Sequence, residues 1–125
     1  MIKNYSLAII GGGPAGIMAA ITASEKQSVI LIEKNETVGR KILATGNGRC
    51  NLTNRFADVS HYHGGNKEFI ENVLASFDQS KTMKFFENLG VVLKEEENGR
   101  IFPQSNQAQT IVDVLFDKLK DNQVF

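Results

Sequence analysis

At 125 residues the chain can build one domain with a core of its own, but hardly two. Lys and Arg together number 14 and so do Asp and Glu, so there is no electrostatic footprint for nucleic acid or for an anionic membrane surface, and neither partner is expected. Apolar residues make up 42% of the chain, yet no stretch approaches the roughly 20 apolar residues that cross a bilayer.

Met1-Ile-Lys-Asn-Tyr5 lacks the long apolar region and small-residue cleavage site of a secretory leader. Cys50 is the only cysteine; it permits no internal disulfide, and a reducing, cytoplasmic setting is expected. Ser6 to Ile10 is short and almost wholly apolar, the pattern of a strand buried on both faces of a parallel sheet. Gly11-Gly-Gly-Pro-Ala-Gly16 follows directly. A helix is predicted from Ile17 to about Lys26, with Pro14 near its first turn, where a missing N–H costs little. Its Ala and Ile residues form a small apolar face that lets it lie close to a sheet. After a turn at Gln27-Ser28, Val29 to Ile32 reads as a second buried strand ending at Glu33. Together these make a βαβ unit with a right-handed crossover.

From Asn35 to about Gly65 the periodicity disappears and glycine and asparagine accumulate, which marks a long functional loop. Lys67 to Phe77 then sets Phe69, Ile70, Val73, Leu74 and Phe77 on one helical face, read as core, as are Phe85 and Phe86. A second short helix from Ser80 to Leu89 stops at Gly90. Val91 to Lys94 and Arg100 to Phe102 flank Glu97-Asn98-Gly99, a hairpin signal, with Glu95-Glu-Glu97 as its solvated end and Pro103 as its stop. A last helix, about Ala108 to Lys120, turns Ile111, Val112, Leu115 and Leu119 inward, and Val124-Phe125 opens a further strand. The expected fold class is α/β: a Rossmann-type βαβ unit followed by a long glycine-rich loop, helices and a β-hairpin.

Gly11-x-Gly13-x-x-Gly16 divides its work by position. Gly11 permits the tight turn out of the strand, Gly13 admits a pyrophosphate where a Cβ would collide, and Gly16 lets helix and strand pack closely. The helix N-terminus, from Ala15 onward just past Pro14, offers free N–H groups and a partial positive charge to phosphates. Glu33, 22 residues after Gly11, is placed to accept hydrogen bonds from adenosine ribose hydroxyls and to repel a 2′-phosphate. FAD and NAD share the ADP moiety, so these residues alone do not separate the two cofactors. A second constellation, Gly39-Arg-Lys41 and Thr45-Gly-Asn-Gly-Arg-Cys-Asn51, combines three bases with backbone and short polar groups. It suits a pyrophosphate or an electron-rich ring, or equally a solvated loop. Cys50 has no second cysteine for a redox pair, so a packed thiol is expected. His61 and His63 lack further ligands for a metal site, and no metal is expected.

Gly-Gly-Gly-Pro-Ala-Gly with Glu at this spacing resembles the N-terminal FAD fingerprint of two-dinucleotide-binding-domain flavoproteins. Thr45-Gly-Asn-Gly-Arg-Cys-Asn51 after Gly39-Arg-Lys41 resembles a narrower group, the bacterial NAD(P)/FAD-dependent oxidoreductases that include aminoacetone oxidase and a bile-acid dehydro-intermediate reductase. Gly99-Arg-Ile-Phe-Pro-Gln-Ser105 with Ala108 resembles a third segment of that group, so the similarity runs across nearly the whole chain. The resemblance implies FAD contacts from Gly11, Gly13, Pro14, Ala15 and Gly16 at the pyrophosphate, with Glu33 and Lys34 at the adenosine. It also implies that Arg40, Lys41, Thr45, Gly46, Asn47, Gly48, Arg49, Cys50 and Asn51 lie toward pyrophosphate and flavin. Residues 1–125 would then be the N-terminal part of an FAD domain in a longer enzyme. That enzyme would act on a small-molecule substrate with NAD(P)H or dioxygen as second partner, and its catalytic residues would lie elsewhere. Two other readings stand beside this one: an NAD-binding dehydrogenase domain, and a non-catalytic truncated module prone to self-association.

Overall fold

The computed structural model describes residues 4–125; Met1 to Lys3, part of the N-terminal stretch considered above, lie outside the described residues. β1 (Leu7–Ile10) and β2 (Val29–Ile32) pair in parallel, Leu7 opposite Val29 and Ile10 opposite Ile32, with α1 (Pro14–Ser24) as the crossover. Phe125 continues this sheet on the other side of β2: its N–H donates to the Val29 carbonyl (3.3 Å) and its carbonyl accepts from Leu31 N–H (2.5 Å). Those two bonds bracket one residue of β2, the pattern of a parallel ladder. Of the strand expected at Val124-Phe125, Phe125 alone meets the sheet, while Val124 N–H donates to the Leu119 carbonyl (2.9 Å).

α1 buries Ile17, Ala20 and Ile21 completely or nearly so, and each such isoleucine contributes about 1.5–3 kcal/mol relative to an exposed one. α5 (Ala108–Asp121) packs beside α1 and inserts Ile111, Val112, Leu115 and Leu119 into the same core. The strands themselves depart from expectation. Leu7 and Ile9 pack on the core, but Ala8 is exposed and Ile10 is 77% exposed, and Ile32 at the end of β2 is 48% exposed. The described residues cover only one face of the sheet, so a strand composed for burial on two faces is buried on one.

The long loop contains short elements that its composition did not announce. These are α2 (Arg40–Ala44), a 3₁₀ turn at Thr45–Gly48, the two-residue β3 (Thr53–Asn54) and a 3₁₀ turn at Val59–His61. β3 adds to the hairpin of β4 (Leu93–Glu96) and β5 (Arg100–Pro103), giving a second, antiparallel sheet ordered β3-β5-β4. The acidic end of that hairpin is tied down rather than merely solvated, since Glu95 pairs with Arg55 and Glu96 with Arg49 and Lys94.

α3 (Lys67–Ser76) and α4 (Gln79–Asn88) are capped by Asn66, whose side chain accepts from Phe69 N–H, and by Asp78, which accepts from Lys81 N–H. Phe86 of α4 is buried and meets Phe85 edge to face, as expected of core. The α3 stripe is not core: Phe69 is 68% exposed, Val73 and Phe77 are exposed, and no residue of α3 is buried. The helical period is correct, but the principal neighbour of α3 is the turn at Val59–His61, which is too small to cover its face. Among the described residues, no helix is long and apolar enough to cross a membrane.

Candidate functional site

The glycine turn leaves β1 with Gly11 at φ +99°, a conformation that costs a side-chain-bearing residue dearly. A Cβ on Gly16 would lie 1.9 Å from the Gly11 carbonyl oxygen, so α1 and the turn touch backbone to backbone there. A Cβ on Gly13 would meet nothing within 4 Å. Gly13 caps α1 with no side-chain hydrogen bond, unlike the caps of α3 and α4, and lies at the edge of a space the protein does not fill.

That space is a polar cleft of about 510 Å³ bordered by Gly12, Gly13, Glu33, Lys34, Arg40 and Lys41. Asn35, Thr37 and Gly39 complete it. The loop after β2 folds back over the turn, where Gly39 N–H donates to the Gly12 carbonyl at 2.7 Å. The Glu33 carboxylate links the two: Oε2 accepts from Gly12 N–H (2.6 Å) and Oε1 from the backbone and side chain of Asn35 (2.9 and 2.5 Å). These bonds, Asn35 first and Gly12 next, hold the Glu33 carboxyl below the usual carboxylate range. Three acceptor positions are used, and a carboxylate has about four, so Oε2 retains one for a ligand hydroxyl. Arg40 donates from Nη1 to Asn35 Oδ1 at 2.9 Å and keeps its other donors.

An apolar cavity of about 340 Å³ adjoins the same turn at Pro14. Thr45, Cys50 and Asn51 line it beside Met18, Ile42 and Phe86. Cys50 is buried, and burial raises its thiol pKa, partly offset by a hydrogen bond with Thr45. It is a packed thiol, as expected.

The sixteen residues singled out from sequence thus divide into groups. Gly13, Glu33, Lys34, Arg40 and Lys41 come together at the polar cleft; Pro14, Thr45, Cys50 and Asn51 come together at the apolar cavity. Gly11 and Gly16 shape the turn, and Ala15 is exposed in the first turn of α1. Gly46, Asn47, Gly48 and Arg49 border neither space. Arg49 instead pairs with Glu96 at 2.8 Å and lies over the Phe102 ring, 4.1 Å from its centroid. Sequence reasoning missed Gly12, where a Cβ would lie 2.7 Å from Val38 Cγ1, and also Asn35 and Thr37. The run Glu33-Lys-Asn35 did carry a signal, because Asn readily makes short-range side-chain bonds just after a strand.

Comparison with known proteins bears on this arrangement. The chain is 46% identical over 121 residues to the 3-dehydro-bile acid delta(4,6)-reductase of Clostridium scindens, covering 94% of this chain and 29% of that protein. It is 33% identical over 124 residues to the ribosomal RNA dihydrouridine synthase of Escherichia coli, covering 98% of this chain and 31% of that protein. The chain therefore spans about a third of the length of these curated relatives. The crystal structure of Thermovibrio ammonificans THI4 superposes with a TM-score of 0.63 at 16% identity, over 96% of this chain and 36% of that one, a likeness of fold. Residues 5–125 match the model of the HI0933-like protein Rossmann domain. The chain belongs to that family of Rossmann, dinucleotide-binding domains.

Proposed function

We propose that residues 1–125 form the ADP-binding part of an FAD site in an oxidoreductase. The enzyme would move hydride or electrons between a small organic substrate and FAD, with a nicotinamide nucleotide or dioxygen as second partner. The observation that carries this reading is the open position at Gly13 in the same cleft as Glu33 and three cationic side chains. Glu33 accepts a ribose hydroxyl on its remaining Oε2 position. The uncapped amides of α1, with Arg40 and Lys41, meet the pyrophosphate oxygens. Thr45 and Asn51 bring polar groups, beside Cys50, to the otherwise apolar cavity on the flavin side of the turn, a combination suited to a flat ring with apolar faces and a polar edge. FAD, when bound, supplies the electron chemistry, and these residues bind and orient it. Substrate-contacting groups belong to parts of the enzyme outside these residues.

The small-molecule substrate class follows the bile-acid reductase, the more similar of the two relatives described. A ribosomal RNA substrate is the second reading, favoured by the 33% identity to the dihydrouridine synthase; the chain's equal numbers of acidic and basic residues weigh against an RNA face on this segment. Reconstitution of the protein with FAD, followed by absorption spectroscopy and competition with ADP and NAD, tests the cofactor. Retained flavin bands displaced by ADP are expected; tight NAD binding without flavin retention would overturn the FAD reading. Glu33→Ala should weaken FAD binding about ten- to hundredfold by loss of charged ribose hydrogen bonds.

A further inference from the structure

Arg49 sits in an unusual stretch of backbone. Gly46, Asn47, Gly48 and Cys50 all have φ between +54° and +80°, and non-glycine residues hold such angles only where their surroundings over-determine them. The inner side of this loop, Thr45, Cys50 and Asn51, faces the apolar cavity. Its outer side is fastened to the antiparallel sheet. Leu52 N–H donates to the Ile101 carbonyl at 2.9 Å. The Arg49 guanidinium stacks on Phe102, which is 2% exposed, and donates to Glu96 Oε1. Glu96 is held in turn by Lys94 at 2.9 Å, and Asn106 Oδ1 lies 3.4 Å from the same Arg49 nitrogen. A planar guanidinium can stack and bond in its plane at once, which an ammonium cannot.

We infer that Arg49 is a positioning residue: clamped between Glu96 and the Phe102 ring, it holds the Thr45 to Asn51 loop in the left-handed shape that lets Thr45, Cys50 and Asn51 wall the apolar cavity. It acts on the bound dinucleotide through those three residues and not by touching a phosphate. The clamp is a property of the fold; its consequence for FAD rests on the reading above.

Two measurements on the full chain separate these levels. Cys50 is the only cysteine, so the rate at which a thiol-reactive dye labels the ligand-free protein reports whether the loop keeps its shape. Arg49→Lys and Glu96→Gln should each raise that rate about tenfold, and the double variant should raise it little further, as for one shared interaction. In the second measurement, both variants should weaken FAD binding about tenfold and leave ADP binding unchanged, because ADP uses only the polar cleft. A general loss of stability would not change the ratio of the two affinities. Unchanged labelling in both variants would overturn the clamp. FAD and ADP affinities falling together in Arg49→Lys, with Glu96→Gln harmless, would return Arg49 to a direct phosphate role and overturn the inference. If the unaltered protein binds neither nucleotide, the FAD reading alone fails and the labelling rates still decide the clamp.

Discussion

The two glycine-rich segments of this chain put the same residue type to opposite uses. In the turn after β1 the missing side chain of Gly13 opens the backbone toward empty space. In the Thr45 to Asn51 loop the missing side chain of Gly46 lets the backbone close on itself, since a Cβ there would lie 2.5 Å from Asn51 N and 3.0 Å from the Phe102 ring. The first segment borders the polar cleft through Gly12 and Gly13, and the second folds inward and is clamped from outside by Arg49. Glycine content alone therefore does not separate an open turn from a closed loop; the surroundings of the absent Cβ do.

The largest effect that would test this contrast is expected at Gly16, where the turn itself is closed. Gly16→Val drives a side chain into the Gly11 carbonyl and should destabilise the fold by about 3 kcal/mol or more, read as a fall in Tm. Gly13→Val should do the reverse: abolish FAD binding by filling the cleft while lowering stability by no more than about 1 kcal/mol, the scale of an N-cap change. A Gly13→Val protein that retains flavin would move the pyrophosphate away from this turn.

Glu33 gives a smaller, pH-dependent effect. Its carboxyl is held below its ordinary value by Asn35 and Gly12, so its contribution is fully present above the unfolded carboxylate pKa and is lost as pH falls through the lowered folded value. Thermal melts should therefore show unaltered protein above Glu33→Gln at neutral pH, with the two curves converging in acid. A constant gap at every pH would mean that the charge of Glu33 plays no part. The smallest effect is expected on α3, where Phe69→Ser should change stability by no more than about 0.5 kcal/mol because that ring is largely exposed. A large drop in Tm would restore the α3 face to the core.

Local features were legible in advance wherever a short window carries the physical cause. The βαβ unit follows from two apolar runs around a glycine turn, and α5 from the spacing of Ile111, Val112, Leu115 and Leu119, all of which the structure buries. The hairpin follows from Glu97-Asn98-Gly99, with Asn98 at φ +62°. β3 was not legible, because two residues have no period and pair only because β5 lies alongside.

The sequence by itself therefore determined the glycine turn, the order of the main helices and strands around it, and five of the residues that meet at the polar cleft. These depend on backbone preferences and side-chain periodicity, which act over a few residues. Tertiary structure alone decided which face of the sheet is covered, that α3 keeps its apolar stripe exposed, and that Glu33 braces Gly12 across 21 residues. It also decided that Arg49 turns to Glu96, 47 residues away, rather than to the cleft. Each of these depends on which groups the topology brings within about 3 Å, the reach of a hydrogen bond, and no local pattern encodes that distance.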